Sequence, residues 1–358
     1  MPMEKNDTLA VRNRRADKRR ITMTDVAREA GCSQATVSFV LNNAPGVKLS
    51  AATKQRVFDA ARRLGYAIPP SVSAPAPATR GRRIAFIADQ LATSPEAMVA
   101  IEGVTQAARA PGDVVLVAQT HNDAELEAEI VRTFVEQRVS AIVYMTIFTR
   151  EVTLPDSLRG LDVPVYLLNC YTAGQDYPAV VPSEIAGGQR STRHLIEHGH
   201  RRIGTITGEM WMEAAQDRLK GYRRALATAD IPFEPGLVME GDWSASAGYE
   251  GTRRLLALPE PPTAIFCQND RMAIGCYEAL KEAGLHIPTD MAVVGYDDEE
   301  ISRHLHPRLT TSVLPHRAMG QWIVEQLGSF TPGQSRYPLV KLECPLVERD
   351  SVAPRKAR

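Results

Sequence analysis

Apolar positions along this chain follow two periods, helical near the N-terminus and strand-like with helical interruptions beyond residue 81. Thr22 begins a helix as N-cap with Asp25 at N3; Val26, Ala27 and Ala30 form its apolar face, and Gly31 stops it. Ser33 caps a second helix, Gln34 to about Asn42, with Val37, Val40 and Leu41 on one face at i, i+3, i+4 spacing. Ser50 caps a third, with Phe58, Ala61 and Leu64 inward and Gly65 as its stop. From Arg82 the runs RRIAFIA, DVVLVAQ, SAIVYMT and VPVYLLN alternate with helical stretches over 94–110 and 123–137. The rhythm restarts after Tyr171 with RIGTIT, GLVMEG, PTAIFC and MAVVGYD, separated by helices near 185–198, 214–229, 246–257 and 270–284. Such alternation predicts parallel sheets covered by helices, in two similar lobes with a cleft where the C-terminal ends of the strands converge.

The expected organisation is therefore an all-α helix-turn-helix head followed by a two-lobed α/β core. Residues 1–20, dense in Arg and without apolar periodicity, read as a disordered basic arm, and 21–66 as the head. The Pro/Ala-rich stretch within 67–81 reads as a hinge or linker. The core covers 82–353, with one lobe expected from about 82–170 plus 313–329 and the other from about 171–312 plus 330–353.

Charge sharpens this division. The chain of 358 residues has a formal net charge of zero, yet residues 1–66 hold 13 Lys+Arg against 6 Asp+Glu, and the remainder 29 against 36. A basic head on an acidic body points to a polyanion bound at one end only. The five cysteines are widely spaced and form no CxxC pair, so they read as reduced thiols of a cytoplasmic protein rather than a disulfide framework or zinc knuckle. The Arg14-Arg15 and Arg19-Arg20 pairs lack the apolar stretch of an export signal, and no segment approaches the roughly 20 apolar residues of a membrane span.

The first two helices, separated by Gly31-Cys32-Ser33, have helix-turn-helix spacing. The second would turn Gln34, Ala35, Ser38 and Phe39 outward, where they can meet base edges in a major groove, while Thr22, Ser33, Thr36 and Asn42 are short donors suited to phosphates. A three-helix bundle packing on another protein would share this pattern; the basic charge of the head favours DNA.

ITMTDVAREAGCSQATVSFVLNN, followed by KLSAATKQRVFDAARRLGY, closely resembles the head of the lactose-repressor (LacI/GalR) family. The resemblance continues through HLIEHGHRRIGTITG, DRLKGYRRAL, GDWSASAGY, PPTAIFCQNDRMAIGCYEAL, DMAVVGYDDEE, PRLTTSVLPHRAMG and LVERDS, and so covers nearly the whole chain. It implies a transcriptional regulator, a repressor by expectation. A homodimer would read a near-palindromic operator in double-stranded DNA, and the core would resemble type I periplasmic sugar-binding proteins and hold a small-molecule effector. No C-terminal heptads follow LVERDS, so a dimer is expected rather than a tetramer. Two departures stand out. Phe39 occupies a recognition-helix position where members often carry Arg, and it can meet thymine methyls but cannot donate to guanine. The Pro/Ala-rich 67–79 segment replaces a hinge helix with its Leu wedge.

The resemblance also carries four effector-site residues: Arg218, Trp243, Asn269 and Asp297. Their chemistry suits a sugar independently, since a guanidinium donates to neighbouring hydroxyls, carboxylate and amide accept and donate, and an indole covers a pyranose CH face. Asp89, Trp211 and His316 are weaker candidates at a strand end, a loop and a lobe crossing, and purine or amino-acid effectors stay open. The HLIEH stretch, His194 to His198, with His200 nearby, matches a metalloprotease spacing, but it leads into a helix C-terminus where cationic residues suit the dipole, so no metal or cofactor is expected. With no Gly-rich phosphate loop and no GxSxG elbow, no catalytic residues are assigned. The competing readings are a sugar sensor on the same core, or a cleft enzyme using Asp297 and His316 as an acid/base pair.

Overall fold

A computed structural model describes residues 21–41, 49–64, 66, 81–91, 95–328, 334 and 336–355. The basic arm, Asn42, Gly65, the 67–79 linker and Ser94 lie outside the described residues. The chain divides into two compact units, 1–80 and 81–358.

The first unit is a three-helix cluster: α1 (Met23–Ala30), α2 (Gln34–Leu41) and α3 (Ala51–Leu64). Its core is small and contiguous. Val26, Ala27 and Ala30 of α1 pack with Val37, Val40 and Leu41 of α2 and with Val57, Phe58, Ala60 and Ala61 of α3. The start of α1 is a capping box, in which the Thr22 side chain accepts from the Asp25 amide while the Asp25 carboxylate accepts from the Thr22 amide at 2.9 Å. Its end requires Gly31, whose φ of +64° is left-handed and lets the Cys32 amide reach back to the Ala27 carbonyl at 3.0 Å.

The second unit is built on two sheets, each six-stranded among the described residues. The first holds β1 (Arg83–Ala88), β2 (Val114–Gln119), β3 (Ala141–Glu151), β4 (Val165–Tyr171), β5 (Ala179–Pro182) and β11 (Leu339–Leu342), in the order β11-β5-β4-β3-β1-β2 and parallel in every pairing. The second holds β6 (Ile203–Thr207), β7 (Val238–Glu240), β8 (Ala264–Cys267), β9 (Ala292–Asp297), β10 (Thr310–Val313) and β12 (Leu346–Val347), in the order β12-β10-β9-β8-β6-β7. Only β12 runs antiparallel to its neighbour there, against β10. The central strands are buried end to end, which is why they read as continuous apolar runs rather than alternating ones.

Helices cover both sheets. On the first lie α4 (Pro95–Arg109), α5 (Ala124–Glu136) and α10 (His316–Gln326). On the second lie α6 (Glu184–Glu197), α7 (Glu213–Thr228), α8 (Ala245–Leu256) and α9 (Asp270–Glu282). The expected division between lobes differs at two short strands. Residues 179–182 and 339–342, expected in the second lobe, form β5 and β11 and extend the first sheet beyond β4. Each is only four residues long, too short for its own sequence to announce a partner, and lateral pairing alone fixes its lobe.

Candidate functional site

In the head, α2 presents Gln34, Ala35 and Phe39 to solvent, with Phe39 43% exposed, while Ser38 and Thr36 are half-buried. The helix carries no charged residue, so its outward face offers one amide, small groups and an aromatic ring. The short donors are less free than their side chains suggest. The Thr22 hydroxyl donates to Asp25 Oδ2 at 2.7 Å, and the Ser33 and Thr36 hydroxyls share a hydrogen bond of 2.9 Å while Ser33 Oγ accepts from the Thr36 amide. Thr22 and Ser33 thus serve first as helix caps. Lys54, Arg56, Arg62 and Arg63 stand exposed on α3 and supply local positive charge.

In the core, a cavity of about 340 Å³ opens between the two sheets at the C-terminal ends of their strands. Its first-lobe wall comes from the loop after β1, from β3 and β4, and from the starts of α4 and α10. A register shift in the β3–β4 pairing between Met145 and Arg150 bulges β3, bringing Ile147, Phe148 and Thr149 to the cavity. Asn169, two residues before the end of β4 with a left-handed φ of +60°, fixes that bulge. Its amide nitrogen donates to the Thr146 and Ile147 carbonyls at 3.0 and 2.7 Å, and its oxygen accepts from Thr149 Oγ1 at 2.6 Å. Asp89 supports the bulge from behind, accepting from the Ile147 amide at 3.0 Å and pairing with Arg150 at 3.3 Å. Burial pushes its carboxyl above the usual range, against the opposing pull of those partners.

The second-lobe wall gathers the four residues carried by the family resemblance. Arg218, on α7, is buried and makes a two-pronged pair with Glu184 at the start of α6, Nε to Oε2 and Nη2 to Oε1, both at 2.9 Å. Its Nη1 donates to the Gln268 carbonyl and stands 3.4 Å from Asp297 Oδ1, while its guanidinium lies 3.8 Å from the centre of the Tyr296 ring. Burial works against the guanidinium charge, but Glu184 and Asp297 outweigh it and hold its pKa above the ordinary value. Asp297 moves upward as well, because burial dominates over its looser pairing with Arg218. Glu184 is therefore the principal partner of Arg218, and the guanidinium is largely committed within the protein.

Asn269 caps α9, accepting from the Met272 amide at 2.8 Å, and its Nδ2 donates to the Trp243 carbonyl at 2.9 Å. That bond steadies Trp243 in an uncommon left-handed conformation, φ +69°. The indole donates to Met212 Sδ and fills the space over Gly208, where a Cβ would lie 1.9 Å from the ring.

Arg218, Trp243, Asn269, Asp297 and His316 line the cavity together. Asp89 and Trp211 are not among its lining residues: Asp89 acts through the bulge, and Trp211, 66% exposed, meets Phe148 edge-on at 6.1 Å across the lobes. Beside this contact Tyr171 at the end of β4 donates to Glu213 on α7 at 3.0 Å, tying the lobes a second time. His316 is buried, its Nε2 has no hydrogen-bond partner among the described residues, and burial lowers its pKa, so the ring is neutral at pH 7.

The sequence reasoning missed Glu184, Asn169, Thr149, Phe148, Glu96, Glu209, Asp242 and Arg271, which also line or shape the cavity. Asn169 carried a usable signal, since it closes the apolar run VYLLN at a strand C-terminus, where α/β clefts bind ligands. Glu184 carried none, because its partner lies 34 residues along the chain. The His194 and His198 rings of HLIEH lie 4.3 Å apart, and each histidine also has a contact of its own. His194 faces Glu348 at 3.7 Å, His198 Nδ1 contacts the His194 carbonyl, and His200 Nδ1 contacts Thr263.

Residues 22–69 match the family described as bacterial regulatory proteins, lacI family, and residues 192–352 match the periplasmic binding protein-like domain. The chain is 32% identical over 311 residues to the HTH-type transcriptional repressor PurR of Aliivibrio fischeri strain MJ11, covering 86% of this chain and 90% of that protein. It is 30% identical over 335 residues to the ribose operon repressor of Haemophilus influenzae, covering 92% and 98%. Among solved structures it is similar to the lac repressor dimer bound to operator and the anti-inducer ONPF, with a TM-score of 0.66, 30% identity, and coverage of 93% and 99%. The CelR–cellobiose complex matches with a TM-score of 0.62, 29% identity, and coverage of 93% and 100%.

Proposed function

Because the chain belongs to the lacI family of bacterial regulatory proteins, we propose that it is a cytoplasmic transcriptional repressor whose hold on DNA is set by a small polar effector, a sugar or sugar derivative. A homodimer binds a near-palindromic operator, each protomer laying α2 in a major groove so that Gln34, Ala35, Ser38 and Phe39 meet base edges. Thr22, Ser33 and Thr36 would meet phosphates through their hydroxyls, helped by helix-start amides, and Asn42, outside the described residues, would do so through its side-chain amide. The observation that carries this reading is the pairing, in one chain, of a capped helix-turn-helix with a cavity enclosed by two lobes. Relatives read the same way: one is solved with operator DNA and another with cellobiose.

We read the cavity as a binding site because the relatives the chain matches are named as repressors, and because Arg218 beside Asp297 and His316 is engaged with Glu184. In the proposed mechanism the effector changes the balance between open and closed lobes by binding one of them better, and operator affinity follows that balance.

The test is a selection of binding sites from random duplex DNA, followed by gel shifts of the enriched site with and without effector. The expected site is two-fold symmetric, and affinity falls steeply with salt, about −0.9 in logarithmic slope per phosphate neutralised. An asymmetric or salt-insensitive site would overturn the DNA reading. Turnover of a bound sugar would restore the enzyme alternative.

A further inference from the structure

Five carboxylates and two guanidiniums line the interlobe cavity, and both guanidiniums are already paired, Arg218 with Glu184 and Arg271 with Glu299 at 3.0 Å. Among the described lining residues no unpaired cation remains for a phosphate or carboxylate ligand. The negative charge is concentrated at one place. Glu96 at the start of α4 in the first lobe faces Asp297, the last residue of β9, and Glu299 just after it in the second, with one carboxylate oxygen of each within 4.8 Å of the others.

Two further observations lie outside the charge count. The Asp297 side chain is only 10% exposed, and its Oδ1 has no hydrogen-bond partner among the described residues, since Arg218 approaches it without hydrogen-bond geometry. His316 Nε2 is likewise buried and unpartnered, and it lines the same cavity. Trp243 and Phe148 complete the walls with aromatic rings, and the Arg218 guanidinium already lies 5.5 Å from the centre of the Trp243 ring.

On the reading of this cavity as the effector site, we propose that the effector carries a protonated amine seated between Glu96 of one lobe and Asp297 of the other. An ammonium offers three donors and no acceptor, which matches converging carboxylates across a closing cleft. Its charge would draw Asp297, whose carboxyl burial pushes upward, to the ionised form as water leaves the cleft. The amine would therefore favour the closed form directly. A neutral sugar gains hydrogen bonds there but leaves the carboxylates facing one another, and a sugar phosphate adds more negative charge.

The full chain would be titrated calorimetrically and by thermal shift at pH 7.5 with glucosamine, galactosamine and mannosamine. Each is run beside its parent hexose, N-acetyl derivative and 6-phosphate, with CaCl2, MgCl2 and MnCl2 as separate arms. The expected result is an amine bound at least about tenfold more tightly than its neutral parent. Glu96→Gln should bring the affinities for the amine and its parent hexose to within about twofold of each other, so the readout is their ratio within one protein. Hits confined to neutral or phosphorylated members, or amine binding indifferent to Glu96→Gln, would overturn the charge assignment and leave the effector site standing. Stabilisation by a divalent ion alone would assign the positive charge to a metal and overturn the amine. A panel in which nothing shifts Tm would overturn the effector reading together with it.

Discussion

The head and the cavity meet their functions with opposite use of side chains. In the head, the groups proposed to read bases are those the fold leaves over: Gln34, Ala35 and Phe39 project from α2 while Val37, Val40 and Leu41 hold it in place. In the cavity, the residues whose chemistry best suits a ligand are bound into the protein itself. Arg218 grips Glu184, and Asn269 caps a helix and holds Trp243. A surface reader can therefore be altered at little structural expense, whereas a cavity residue cannot be removed without disturbing the wall it belongs to.

The sharpest way to break this comparison is Arg218→Ala. It leaves Glu184 buried without its partner, so a loss of about 3–5 kcal/mol of stability is expected, together with loss of effector response. Urea unfolding of R218A beside the double variant Arg218→Met, Glu184→Gln separates the two effects. The double variant should recover most of the stability and none of the response, and an R218A protein as stable as the parent would show that Arg218 is free for ligand after all.

Asn269→Ala comes next. The loss of a helix cap and of the bond to the Trp243 carbonyl is expected to lower stability by about 1–3 kcal/mol and to loosen Trp243, read as a change in tryptophan fluorescence. An unchanged emission spectrum with normal effector affinity would make Asn269 a cap and nothing more.

Asp270 gives a pH test of the same wall. It is buried beneath the 297–299 loop, accepts from Thr311 Oγ1 at 2.6 Å and from the Glu299 amide at 2.8 Å, and burial pushes its pKa up to about 8. Because the folded value lies above the unfolded one, its contribution to stability is full below about pH 4 and is lost as pH rises through about 8. Stability should therefore fall between pH 6 and 8 by up to about 1.4 kcal/mol per unit from this group, and Asp270→Asn should flatten the slope. A slope that is the same in both proteins would locate the titration elsewhere.

Phe39→Ala has the smallest expected effect on the fold, within about 0.5 kcal/mol of the parent, since the ring packs against nothing the head depends on. Its effect belongs to base preference, measured by comparing selected sites. A large fall in Tm would place Phe39 in the core and weaken the contrast between the two regions.

Legibility in the sequence follows the range of the forces involved. The helices of the head were readable because caps and stops act within four residues, as Thr22 with Asp25 and Gly31 with Ala27 show. The main strands were readable because burial on both faces writes a continuous apolar run. The strands Ala179–Pro182 and Leu339–Leu342 went to the wrong lobe because so few residues encode no partner.

By itself, then, the sequence determined the two-part plan, the helix-turn-helix, the lobed α/β core and, through family resemblance, the identity of four cavity residues. Only the tertiary structure decided what those residues do. Whether a guanidinium is free for a ligand depends on a carboxylate 34 residues away, and whether three acids repel one another depends on two lobes meeting at Glu96 and Asp297. Local interactions are written in neighbouring letters, while the electrostatics of a cavity arise from pairs that folding alone brings within a few ångströms.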